Sequence, residues 1–251
     1  MVEFSLSNPW IIGIISNSSL LAFALISPKK LLTLWGYIHA WILGVIVWGT
    51  LGWKGYTIVM FYFLVGSAVT RIGMAQKEAA GIAEKRSGMR GPENVWGSAL
   101  IATICAVATL FVESPWPSLL IIGYVASFST KLSDTTASEV GKAYGKRTFL
   151  ITTLKPVSPG TEGAISLEGT LAGMMASGVI AGLGWGLGLI NFMGVIWCII
   201  AAFIATNLES VIGATLQEKW QWMTNEIVNI INTLIGAVFG ILMAWLWSFY
   251  L

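Results

Sequence analysis

The chain has 251 residues, of which 56% are hydrophobic and only 10% are charged, and its mean hydropathy is +0.78. A soluble globular domain carries about 25% charged residues, so this composition excludes a soluble protein and predicts one that lies in a lipid bilayer. The formal net charge of +2 does not indicate a nucleic-acid partner. The length suits a single integral-membrane domain, residues 1–251.

Continuous apolar runs predict an all-α, polytopic membrane helix bundle of eight spans, with seven as the alternative. The runs cover residues 10–26, 31–51, 56–69, 95–111, 118–128, 167–183, 187–206 and 227–251. Continuous runs favour helices over a membrane barrel, because barrel strands alternate between apolar and polar residues. The fifth run is short, and we expect its helix to continue into the polar stretch that follows.

The charged residues are distributed asymmetrically across this topology. When the connections are assigned to alternate sides, every Lys and Arg except Lys54 falls on one side, as does every acid except Glu3 and Glu113. Positive residues collect on the cytoplasmic side of membrane proteins. The pattern therefore predicts eight spans with both termini outside. It also predicts a polar site on the cytoplasmic or stromal face, where nucleotides and Mg²⁺ are available.

The polar stretch KLSDTTASEVGKAYGKR, residues 131–147, carries the first candidate metal ligands. Asp134 follows an apolar run, where an acid is costly unless it is paired or metal-bound. Glu139 lies five residues later, so an ideal helix separates the two side chains by about 140°. They could share an ion only through the longer Glu139 or a break in the helix. Mg²⁺ is typically held by one or two carboxylates plus substrate phosphates.

Cations and glycines follow these acids in a pattern that suits a phosphate ligand. Lys142, Lys146 and Lys155 can act as point charges for phosphate. The segment SPGTEGAIS, residues 158–166, adds glycine N–H groups that can approach phosphate oxygens and Glu162 as another candidate ligand. It is not a Walker A loop. The alternative, in which these charges only pair with one another and fix the topology, stays open.

Two further segments contain candidate substrate contacts. Arg71 directly follows a span, where it can bind a phosphate or anchor to lipid headgroups. Asn225 and Asn229 share one helical face, which can line a pocket or form hydrogen bonds between helices. Gly169 and Gly173 belong to a row of small residues that predicts close helix packing.

The chain contains one histidine, His39, which lies deep in the second apolar run. No Ser/His/Asp or Cys/His set can therefore form on the cytoplasmic side. Metal-assisted phosphoryl transfer needs no such set, because positioning and charge neutralisation supply most of the catalysis.

Four motifs, in the order given, resemble the integral-membrane family that includes plant and cyanobacterial phytyl-phosphate kinases. They are GSAVTRIG…KEAAGIAEKRSGMRGPENVWG, SDTTASEVGKAYGK, GTEGAISLEGTLAG and ESVIGATLQ…TNEIVNIIN. The resemblance extends over about residues 30–250 and, more distantly, to CTP-dependent polyprenol kinases and phosphatidate cytidylyltransferases. It implies phosphorylation of an isoprenoid monophosphate such as phytyl phosphate for tocopherol and phylloquinone synthesis. The implied donor is a nucleoside triphosphate, with CTP expected, and the implied cofactor is Mg²⁺.

The resemblance also implies roles for individual residues. The Mg²⁺ ligands would be Asp134, Glu139 and Glu162. The catalytic residues would be Asp134, Lys142, Lys146 and Lys155. The substrate-binding residues would be Arg71, Lys77, Thr161, Gly163, Asn225 and Asn229. The apolar tail would lie between helices among the membrane lipids, and the oligomeric state stays open.

Two other functions suit the same residues. A cytidylyltransferase, or another lipid kinase, would use the same phosphate-binding groups, and a transferase would release pyrophosphate where a kinase releases CDP. A transporter or flippase of a phosphorylated lipid would place polar groups at the bilayer midplane and use paired broken helices. The charges here gather on one side instead.

Overall fold

The computed structural model describes residues 7–28, 30–84, 88–217, 219–220 and 222–249. Lys29, Lys85, Arg86, Glu3 and Glu218, which entered the charge argument, lie outside these residues. The described residues form the helices α1 Pro9–Ile26, α2 Leu34–Thr70, α3 Met74–Ala79, α4 Pro92–Ala108, α5 Trp116–Tyr144, α6 Leu167–Gly186, α7 Phe192–Ile212 and α8 Asn225–Trp247. Five of them, α1, α2, α6, α7 and α8, are long and apolar enough to cross a membrane. The prediction of a polytopic helical membrane protein is confirmed.

Helix α2 combines the second and third predicted runs and turns back on itself at Gly52. Its 37 residues would extend about 55 Å if straight, well beyond the hydrocarbon core of about 30 Å. Gly52 has φ 64° and ψ −160°, a conformation that glycine adopts without the steric cost of a side chain. Gly36, near the start of α2, and Gly66, near its end, both lie against Arg90. The two halves of α2 therefore run in opposite directions.

Helix α5 lies at the centre of the bundle and packs against α2, α4, α6, α7 and α8. Tyr124, Val125 and Phe128 in its first half are fully buried. The helix begins near the fifth predicted run and continues without interruption through the polar stretch to Tyr144. This continuation was predicted, and it brings the acids of that stretch to one end of the bundle.

The connections alternate between the two ends of the bundle when α2 is counted as two segments. The described parts of the segments 27–33, 71–91, 145–166 and 213–224 connect helices at one end, which we call the charged end. Among the described residues, every Lys and Arg except Lys54 lies in these connections or on α5. Lys54 lies near Gly188 in the α6–α7 connection, at the opposite end. The eight predicted apolar runs thus correspond to eight helical segments in the described chain, with both ends of the described chain opposite the charges.

The small residues of α6 pack directly against α5, as the sequence predicts. A Cβ atom added to Gly169 would lie 2.5 Å from the carbonyl oxygen of Ala137, and one added to Gly173 would lie 2.8 Å from that of Ser133. These contacts are too close for any side chain. Helix α6 therefore approaches the part of α5 that carries Asp134 only because glycines stand at these positions.

We expect Gly173→Val to destabilise the protein and Gly182→Val on the same helix to leave it almost unchanged. Overpacking a close helix contact costs about 1–3 kcal/mol. A Cβ atom at Gly182 meets no atom outside its own helix backbone within 4 Å. This variant therefore controls for the change in intrinsic helix propensity from glycine to valine. The measurement is the thermal unfolding midpoint of each purified variant in detergent. Equal midpoints for the two variants would contradict the close packing of α6 on α5.

Candidate active site

A polar cavity of about 280 Å³ opens at the charged end of the bundle. It lies between the second half of α5, the end of α7, the start of α8 and the α5–α6 connection. The charged and amide side chains that line it are Glu84, Arg90, Asn94, Lys131, Asp134, Glu139, Lys142, Glu162, Asn207, Glu209, Asn225, Glu226 and Asn229. Carboxylates and cations thus share one cavity. Mg²⁺ is typically held by one or two such carboxylates together with phosphates.

Asp134 lies in this cavity and pairs with a buried lysine. The Lys131 Nζ donates to Asp134 Oδ2 at 2.5 Å and to Asn229 Oδ1 at 2.7 Å. The side chains of Lys131 and Asp134 are each only 8% exposed. The ammonium group therefore joins α5 to α8 and fixes the predicted Asn229 at the cavity wall.

Glu139 occupies a separate cluster one and a half turns further along α5. Lys77 of α3 donates to Glu139 Oε2 and to the Thr70 carbonyl oxygen, the latter at 2.8 Å. The Lys142 Nζ lies 3.3 Å from the other carboxylate oxygen, Glu139 Oε1. Because α5 is unbroken here, the expected angular separation from Asp134 persists. Glu139 lines the cavity, and both of its oxygens face lysines.

The α5–α6 connection forms one wall of the cavity. It begins with strand β1, Thr148–Leu150, which pairs antiparallel with β2, Ala164–Ser166. Between the strands, Gly160 and Gly163 have φ values of 86° and 74°. A Cβ atom at Gly163 would lie 2.5 Å from the Ser210 carbonyl oxygen of α7. The glycine therefore allows the connection to rest on α7 and to hold Thr161 and Glu162 at the cavity.

Several predicted site residues lie away from the cavity. Arg71, Lys146 and Lys155 are exposed, and none of them lines it. Lys77 is 1% exposed and lies behind Glu139. The predicted roles of these four residues in phosphate binding or catalysis stay predictions.

The cavity also contains residues to which sequence reasoning gave no site role. Glu209 of α7 lies beside Asp134, Lys131 and Glu162. Like Asp134, it follows directly on an apolar run, so the same argument about the cost of an acid there could have identified it. The Arg90 Nη1 donates to the Tyr62 hydroxyl at 3.2 Å, and the guanidinium lies 5.4 Å from the centre of that ring. In the sequence analysis, Arg90 is only one of the cations whose distribution predicts the topology.

The site residues come from all four motifs on which the resemblance rests, and a family comparison matches the same region. The family described as "Integral membrane protein DUF92" matches residues 17–237 of the chain. The chain belongs to the DUF92 family of integral membrane proteins. The predicted membership of an integral-membrane family with plant and cyanobacterial representatives is confirmed.

Relatives of this DUF92 protein occur in cyanobacteria, plants and archaea. The membrane protein sll0875 of Synechocystis sp. is 69% identical over 237 residues, which cover 94% of this chain and 92% of the relative. Protein VTE6, chloroplastic, of Arabidopsis thaliana is 44% identical over 245 residues, covering 95% and 73% of the two chains. The membrane protein MJ0933 of Methanocaldococcus jannaschii is 35% identical over 208 residues, covering 82% and 83%. No solved structure matches the chain significantly.

The carboxylates of this DUF92 protein fit a Mg²⁺ ion that substrate phosphates help to bind. Among the described residues, no group of three His, Cys, Asp or Glu side chains could hold a metal ion by itself. Mg²⁺ usually needs only one or two protein carboxylates, because phosphates and water complete its octahedral shell. Asp134 and Glu209 adjoin each other, with Glu162 nearby. The donor set therefore suits an ion whose remaining ligands are phosphate oxygens and water.

Proposed function

We propose that this protein is a membrane kinase that transfers the γ-phosphoryl group of a nucleoside triphosphate to a prenyl monophosphate such as phytyl phosphate. CTP is the proposed donor, the diphosphate product would serve tocopherol and phylloquinone synthesis, and the active face would be cytoplasmic or stromal. The observation that carries the proposal is the convergence of carboxylates and lysines on one polar cavity at the charged end. The carboxylates come from the four motifs that resemble phytyl-phosphate kinases. The similarity to a chloroplast protein supports the same pathway.

In the proposed reaction, an anionic oxygen of the acceptor phosphate attacks the γ-phosphorus of the nucleotide. A new P–O bond forms, the bond from the γ-phosphorus to the β–γ bridging oxygen breaks, and the nucleoside diphosphate leaves with that electron pair. The attacking oxygen already carries a negative charge at neutral pH, so no general base is required. This agrees with a cavity in which none of the described lining residues is a histidine.

The residues of the chain would bind and orient the two phosphate groups. Asp134, with Glu209 or Glu162, would hold Mg²⁺, which neutralises charge on the nucleotide phosphates when it is bound. Lys131 and Lys142 would balance the charge on the transferring group, since preorganised cations in an enclosed site stabilise it more strongly than water does. The transport alternative is less well supported, because the polar groups gather at one end instead of the midplane.

Product analysis tests this proposal. We expect purified protein in detergent, given phytyl phosphate, Mg²⁺ and each nucleoside triphosphate in turn, to form phytyl diphosphate and CDP from CTP. Chelation of Mg²⁺ should stop the reaction, and adding Mg²⁺ back should restore the activity. Pyrophosphate with a CDP-linked lipid would instead identify a cytidylyltransferase. No turnover of any prenyl phosphate by folded protein would contradict both enzymatic functions.

A further inference from the structure

A second cavity lies beside the polar one and differs from it in chemistry. It is a groove of about 370 Å³ between α1, α2 and α4, and its surface is almost entirely apolar. Its walls include Leu21, Ala24, Leu43, Val59 and Ala99. Because these helices belong to the membrane-embedded bundle, the groove suits a hydrocarbon chain.

The groove and the polar cavity meet at a shared set of residues. Tyr62, Arg90, Asn94 and Ser98 line both spaces. Arg90 is the only cation of the described chain that lines both. Arginine can bind a phosphate through two parallel hydrogen bonds. The junction thus places a cation where an apolar chain would end and a phosphate would begin.

A polar contact lies at the far end of the groove. The Tyr56 hydroxyl donates to Asn17 Oδ1 at 2.9 Å, and Asn17 Nδ2 donates to the Gly13 carbonyl oxygen at 2.8 Å. Arg90 is fixed at the other end, where its carbonyl oxygen accepts from the Thr33 backbone N–H at 3.0 Å.

The distance between these two ends follows from the helix geometry. Gly44, which lies against Asn17, is eleven residues beyond Thr33 on α2. The groove is therefore about 16 Å deep at 1.5 Å per residue, about half of the hydrocarbon core. An occupant would enter from the leaflet at the charged end.

We propose that this groove binds the hydrocarbon tail of a prenyl monophosphate acceptor and that Arg90 binds its phosphate. The proposal rests on the proposed kinase function for the identity of the acceptor. The tail stays in the apolar space while the phosphate projects past Arg90 into the polar cavity, towards Asp134. One substrate then arrives from the lipid and the other from water, and the two meet at the junction.

Photocrosslinking tests the groove independently of turnover. The probe is a prenyl monophosphate with a diazirine in its chain, bound to purified protein in detergent. We expect labelled peptides from α1, α2 and α4, with labelling suppressed by phytyl phosphate and little affected by phosphatidylglycerol. Ala24→Phe, which fills the groove, should abolish this labelling. Ala22→Phe is the matched control, because Ala22 is exposed on the same helix and does not line the groove.

Kinetics provide the second measurement. Arg90→Gln should raise the KM for phytyl phosphate by at least about tenfold and leave the KM for the nucleotide within about twofold. Labelling outside the groove, labelling that survives Ala24→Phe, or equal competition by phosphatidylglycerol would overturn the proposal. If the expected labelling is found but no diphosphate forms, the result supports binding in the groove and contradicts the kinase function. Diphosphate formation with labelling elsewhere would contradict the groove alone.

Discussion

We expect Asp134→Asn to lower the turnover of phytyl phosphate by about 10²- to 10³-fold. The substitution keeps the size of the side chain but removes its charge and replaces one acceptor oxygen with an NH2 donor. Asp134 lies beside Glu209 and near Glu162. Of these three acids, Asp134 is the most buried. Without it, the site would lose both a Mg²⁺ ligand and the counter-ion of Lys131.

Turnover of this variant must be compared per folded protein, because loss of the partner of Lys131 also lowers stability. The measurement is the initial rate at a temperature well below the unfolding midpoint of each variant. Glu113→Gln is the control, since it makes the same acid-to-amide change on an exposed residue in the α4–α5 connection, at the opposite end. A rate within about threefold of wild type would assign Asp134 to structure alone.

The fold was largely predictable because the bilayer imposes strong constraints on helix length and polarity. Each apolar run corresponds to a helical segment, and five of the described helices are long and apolar enough to cross a membrane. The charge asymmetry grouped the connections that lie at one end of the bundle. The β1–β2 pair was not predicted, because strands of three residues carry no readable alternation. They form where Gly163 lets the connection rest against Ser210 of α7 and against Ala214 just beyond that helix. No local sequence pattern encodes this contact.

A site residue could be predicted only where the neighbouring sequence gives the reason for its role. Asp134 stands at the end of an apolar run, and its position alone made it a candidate. Its contacts were not readable: Lys131 meets Asn229, which is 98 residues away. The partners Lys77 and Glu139 are 62 residues apart. Such pairs depend on how the helices assemble, so the sequence could name the polar residues without telling which ones share a cluster.

The predicted phosphate-binding cations show the same limit. Lys142 lines the cavity, whereas Lys146 and Lys155 lie exposed in the α5–α6 connection. Their types and spacing alone could not distinguish them. Arg90 differs from all three because an aromatic ring, that of Tyr62, holds its guanidinium at the junction of the two cavities.

We expect Glu139→Gln to destabilise the protein strongly, by about 3–5 kcal/mol, because it leaves Lys77 charged, buried and without a carboxylate. Only neutral acceptors would then face the ammonium group, the Thr70 carbonyl oxygen and the amide oxygen of the new side chain. The double variant Lys77→Met/Glu139→Leu should recover most of this loss, since apolar residues of similar size replace a buried ion pair at little cost. Thermal unfolding midpoints of Lys77→Met, Glu139→Leu and the double variant complete the cycle.

Turnover of the double variant then distinguishes a structural role of Glu139 from a role as a metal ligand. Its oxygens face Lys77 and Lys142, an arrangement that fixes α3 and the 71–91 connection to α5. We therefore expect a stable double variant to retain turnover within about tenfold of wild type, with a KM for Mg²⁺ close to that of wild type. A double variant that is stable but inactive, with a raised Mg²⁺ requirement, would instead make Glu139 the metal ligand that the sequence predicts. Failure of the double variant to recover stability would contradict the assignment of this pair as a structural contact.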